Sequence, residues 1–144
     1  MRHLLTIAVL VLLAVPNCMA AKETVQQLAA RADAARPEDR PGLYIEIAER
    51  QLKAVDELFA TGKDEEAVAA VKDVVTYSEK AHDAAILAPN KLKNTEISLR
   101  KMAAKLRDIK RTLGFDEQAP VQAASDRLEV LRTDLLSKMF GKGK

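Results

Sequence analysis

Aromatic residues are nearly missing from this chain: three phenylalanines, two tyrosines and no tryptophan make up 3% of its 144 residues. A core must therefore be built from Leu, Val, Ile and Ala, and the stacking platforms that single-stranded nucleic acid uses are lacking. Cysteine occurs once, at Cys18, and histidine twice, at His3 and His82. One thiol closes no intrachain disulfide and builds no Cys-rich zinc site, and no C-x-x-C-H haem attachment is present. Five glycines and five prolines are too few to punctuate a chain of short strands, and no apolar–polar alternation bounded by turn residues is seen. What remains is rich in Ala, Leu, Lys, Glu and Arg, the composition of helices. The fold class expected is all-α.

The first twenty residues read as a signal peptide. Arg2 supplies the positive start, Leu4 to Val15 an apolar stretch broken only by Thr6, and Pro16 ends it. Twelve residues fall short of the roughly 20 that span a bilayer. Cys18-Met19-Ala20 then places small residues at the positions a signal peptidase reads, with cleavage before Ala21. Lipid anchoring through Cys18 wants a small residue and a leucine where Asn17 and Val15 stand, so cleavage and export, to periplasm or medium, is the expectation. Removal takes away Arg2, His3 and the only cysteine. The remainder carries 22 basic and 21 acidic residues, a balance that, with export and the scarcity of aromatics, argues against nucleic acid as a partner.

The strongest pattern lies in Leu92 to Leu113. Leu92, Leu99, Leu106 and Leu113 recur every seven residues, with Thr95, Met102 and Ile109 between them, an a/d seam that must be covered by other helices. The neighbours read as its partners. A short, weakly apolar and loosely docked helix is expected between Lys22 and Arg36, followed by a linker, Pro37 to Gly42. A second helix runs from Leu43 to Ala60 and ends at Gly62, placed for the left-handed conformation. A third, capped by Asp64, runs to about Leu87 and breaks at Pro89-Asn90. The seam follows, with Asn94 as an alternative cap. A fifth helix starts near Pro120, with Val121, Ala124, Leu128, Leu131 and Leu135 inward and Met139-Phe140 as an apolar end. Short turns make successive helices antiparallel. The expected domain plan is residues 1–20 as leader, 21–42 as short helix and linker, 43–140 as an up-down-up-down four-helix-type bundle, and 141–144 as tail.

Gly62-Lys-Asp-Glu-Glu-Ala67 within Ala54 to Ala81, followed by Ala88-Pro89-Asn90, resembles the turn and closing element of a tetratricopeptide helix pair. The resemblance covers about 35 residues. The distance from Ala67 to Pro89 exceeds that of the 34-residue repeat by about three helical turns, and there is no second copy. It implies a helical hairpin and nothing about peptide binding.

Candidate chemistry is sparse. Glu79 and His82 form an E-x-x-H pair, the unit that di-metal bundles use in duplicate. Without a second histidine, and with Asp83 as the only further neighbour, the pair reads as a helical histidine beside acids, a weak metal candidate. No nucleophile elbow or phosphate loop is present, so no catalytic residue, enzymatic activity or cofactor is expected. Charge is the most specific signal: residues 91–113 hold eight basic and two acidic residues, +6, whereas 22–90 hold nine and fourteen, −5. Lys93, Arg100 and Arg107 share the b position of the seam and Arg111 the adjoining f, forming a basic ridge on the far side from the core. Such a helix either pairs with the acidic flank of its neighbours or meets an anionic partner, a membrane or a cell-wall polymer. The reading that follows is an exported, non-catalytic helical bundle, acting as a structural or protein-interaction module or associating with itself. The alternative is a peripheral binder of anionic surfaces.

Overall fold

The computed structural model of the protein describes residues 23–141. The expected leader over 1–20 and the tail beyond Gly141 lie outside the described residues. Among the described residues there are five α-helices and no strand: α1 (Val25–Ala34), α2 (Arg40–Ala60), α3 (Asp64–Leu87), α4 (Leu92–Arg111) and α5 (Gln118–Phe140). Single 3₁₀ turns at Pro89–Lys91 and Phe115–Glu117 lead into α4 and α5.

Local chemistry sets most boundaries. Thr24 opens α1 with a capping box: its hydroxyl accepts from the Gln27 amide at 3.1 Å, and Gln27 Oε1 accepts from the Thr24 amide at 2.9 Å. Pro41 and Gly42 belong to α2, not to the linker expected there, because a proline in the first turn lacks only an N–H that would have no helical partner. Gly62 ends the α2–α3 turn at φ +74°, as its position implied. Asp64 is the first residue of α3 and not its cap. With Glu65 and Glu66 it places three acids in the first turn, where the helix dipole favours them. Asn94 lies inside α4 and caps nothing.

The a/d seam is buried within the single chain from Leu92 to Ile109, whereas Leu113, expected to close it, lies past the end of α4 and is half-buried. Leu99 and Leu106 are fully enclosed, and Leu92, Thr95, Met102 and Ile109 are buried beside them. The matching positions of α5, from Val121 to Leu135, are buried too. Phe140, expected at the apolar end of that helix, is instead 80% exposed. Helix α1 is firmly docked rather than loose. Leu28 and Ala32 are fully buried, Arg50 Nη1 donates to the Glu23 carbonyl at 2.6 Å, and the Tyr44 hydroxyl donates to Asp33 at 2.5 Å.

Helix α2 lies along α3, and α4 along α5, over most of their lengths. In α4–α5 the cross-links step up one helix and down the other, Lys110 to Gln122, Arg107 to Glu129, Arg132 to Glu96; in α2–α3 a three-residue turn and the Gln51–Asp73 hydrogen bond, its ends equally far from that turn, give the same antiparallel sense. The two hairpins meet chiefly through α3 against α5, and more lightly where α4 touches α2 and α3. A square bundle would close on α2 against α5, a pair that makes at most marginal contact. Helix α3 permits the close approach because much of its buried face is small, with Ala70, Ser78, Ala81 and Ala85.

Candidate functional site

Two polar arrangements tie the hairpins together, and each contains residues singled out by sequence. The first is at the α3–α5 contact. Glu79 and His82 lie one turn apart on α3 but do not meet. Glu79 accepts from Arg127 Nε of α5 at 2.7 Å. His82 is only 8% exposed, with Nδ1 2.8 Å from Asp83 Oδ1 and Nε2 2.8 Å from Asp134 Oδ2. Asp134, 52 positions away in sequence, was invisible to a reading based on helical spacing. Among the described residues no group of three or more His, Cys, Asp or Glu side chains is placed to hold a metal ion.

The second arrangement runs along α4 and α5. Glu96, 6% exposed, accepts from Arg132 Nε at 2.7 Å; Arg132 Nη1 reaches Glu129 at 3.2 Å, and Glu129 also accepts from Arg107 Nη1 at 3.1 Å. Burial pushes the Glu129 carboxyl up, but the hydrogen bonds from Arg107 and Arg132 outweigh it and hold the group below its ordinary 4.5. Hydrogen bonds from Arg132 to Glu96 and Glu129 in turn raise the guanidinium further above its ordinary range. Ser125 completes the contact by donating to the Ala103 carbonyl at 3.2 Å.

The four residues of the expected basic ridge therefore divide. Arg107 turns towards α5 and pairs with Glu129, because a long side chain at the edge of the seam reaches the neighbouring helix. Arg111 pairs with Asp108 one turn back, an exposed contact worth little. Lys93 and Arg100 are exposed and have no acidic partner among the described residues, and Lys101 joins them. Elsewhere on the helix Lys105 meets Asp56 of α2 at 2.9 Å and Lys110 donates to Gln122 of α5 at 2.6 Å. Of these three cross-helix partners of the cations, two are on α5 and one on the acidic α2.

A third cluster lies at the other side of α2. Tyr44 and Tyr77 sit with ring centroids 6.4 Å apart, and Lys80 Nζ stands 5.6 and 5.4 Å from the two rings. Burial, then the hydrogen bond to Asp33, pushes the Tyr44 hydroxyl up to about 12. Outside these clusters, large apolar side chains stand exposed: Leu87, Phe115, Val130 and Phe140. No helix among the described residues is long and apolar enough to cross a membrane. No protein-family model, curated protein or solved structure matches the chain.

Proposed function

We propose that this protein is an exported helical bundle that acts, without catalysis, as a structural or protein-interaction module of the cell envelope. The observation that carries the reading is the placement of its scarce aromatics. Two of its three phenylalanines are on the outside, Phe115 at 88% and Phe140 at 80% exposure, although the core has almost no aromatic filling. Exposed phenylalanine at helix ends adds nothing to the fold, whereas aromatics are enriched where proteins meet. The heptad seam is closed within the chain, so an interface would use these outer side chains.

The test is the mass in solution of the protein beginning at Ala21, measured over a wide concentration range at low and high salt. The expected result is a dimer or larger species that survives salt and reverts to monomer in Phe115→Ser/Phe140→Ser. A monomer throughout removes self-association; photo-crosslinking from position 115 in intact envelopes then decides, and no adduct there refutes the interaction reading. An N-terminus other than Ala21 on the protein recovered from cells overturns the proposed cleavage.

A second reading has its own support. Lys93, Arg100 and Lys101 lack acidic partners among the described residues while Arg107 and Arg111 have them, so the basic ridge survives in shortened form on the first half of α4. On this reading the stripe docks on anionic lipid or polymer, each cation near the surface contributing about 1 kcal/mol. Sedimentation with phosphatidylglycerol vesicles tests it: binding lost on Lys93→Gln/Arg100→Gln/Lys101→Gln but kept on Arg111→Gln supports it, and equal loss or no binding sinks it.

A further inference from the structure

The connection between α1 and α2 faces the first turn of α4 across a cleft of about 600 Å³, a size within the range of small-molecule sites. Its apolar wall includes Pro41, Leu43 and Ile45; the α4 side supplies Lys91, Asn94, Thr95 and Ser98. Three observations on that side converge. Thr95 is 3% exposed, yet its hydroxyl has no hydrogen-bond partner among the described residues, unlike Thr61, Thr112 and Thr133, whose hydroxyls donate back to carbonyls of the preceding turn. The Thr95 oxygen is not sealed in the core, since Ser78 Oγ is the one partnerless polar side-chain atom fully enclosed among the described residues. Thr95 is one of the residues that line the cleft. In addition, α4 begins without a side-chain cap and without an acid in its first turn, with Lys91 before it and Lys93 within it. Two cations at the positive end of a helix are an unfavourable pairing that a bound anion relieves.

We propose that this cleft binds a small organic acid, its carboxylate held by Thr95, Asn94 and Lys91 and its apolar body resting on Pro41, Leu43 and Ile45. The other charged groups on the lining define the class. Arg31 of α1 is already paired with Glu23 at 3.1 Å, and Asp39 with Arg36 at 3.1 Å, leaving Glu38 as the acid without a partner among the described residues. A single negative charge tolerates that acidic rim better than a doubly charged phosphate, for which the repulsion is about twice as large. A polar head beside an apolar wall suits a molecule with both. The site is separate from the exposed phenylalanines and does not depend on the interaction reading.

Hexanoate is the probe, titrated into purified protein while the backbone amide signals of Thr95 and Ser98 are followed by NMR. Hexanol, with the same tail and no charge, and inorganic phosphate are run in parallel. The expected result is a saturable shift with hexanoate, none with hexanol and a weaker one with phosphate. Thr95→Val, which keeps the shape and removes the hydroxyl, and Lys91→Gln should each weaken hexanoate binding about tenfold, the usual worth of a charge-assisted hydrogen bond. The proposal is overturned by the absence of a saturable hexanoate shift, by equal binding of hexanol, by tighter binding of phosphate, or by variants that fold and bind unchanged. If a variant fails to fold, the comparison of the three probes on the unaltered protein still decides.

Discussion

Glu96 on α4 is the most deeply placed acid in the fold, and its partner is Arg132 of α5. Replacing Arg132 by leucine takes from the Glu96 carboxylate, whose side chain is 8% exposed, its one ion-pair partner among the described residues. Breaking a fully buried pair in this way costs about 3–5 kcal/mol. The Arg132 side chain is itself 27% exposed, so water reaches the vacated space and the expected cost is lower, about 2–3 kcal/mol. Glu96→Leu is milder, about 1 kcal/mol, because Arg132 retains Glu129 at 3.2 Å. The double variant puts two apolar side chains where an ion pair stood. It removes the desolvation of both charges and should lie within about 1 kcal/mol of the original. The coupling energy from the four proteins is therefore about 3 kcal/mol, read from urea midpoints at constant slope. Two single substitutions that each cost less than about 0.5 kcal/mol, or that simply add in the double variant, would refute the account of this pair as the polar lock between α4 and α5.

Three further outcomes follow from the same structure. Glu129 is depressed below 4.5, so its contribution is present above that pH and is lost as pH falls through its folded value. Acid titration of stability should be shallower in Arg107→Met, and an identical slope would remove Arg107 as a cause. Tyr44 is raised from 10.0 to about 12, so the stability it supplies is complete below pH 10 and is lost as pH rises through 12. Tyr44→Phe should abolish that alkaline loss and cost about 1 kcal/mol near neutrality, as followed by circular dichroism across the alkaline range. Leu106, fully buried, should cost about 2–5 kcal/mol on truncation to alanine, and an unchanged thermal melt would mean that the seam is not the core.

What could be read from the chain alone was whatever depends on neighbours within a few turns. Seven-residue spacing placed Leu92, Leu99 and Leu106 in the core, because a helix returns to the same face every two turns. The break at Gly62 and the buried face of α5 were legible for the same reason: a single glycine and a 3.6-residue period act locally. Even so, a fixed proline rule misplaced the start of α2, since Pro41 opens a helix as readily as it interrupts one.

Tertiary structure decided which helices meet, and with that the fate of every long polar side chain. Heptad position assigned Arg107 to an outward ridge, but its reach carried it to Glu129 on α5, while Lys93 and Arg100 at the same register have no such neighbour. His82 acquired Asp134, and Thr95 acquired a cleft, because α3 lies on α5 and the α1–α2 connection lies over α4. Periodicity states that a face must be covered. It does not state by which helix, since many coverings bury the same apolar area and only the contacts between particular side chains distinguish them.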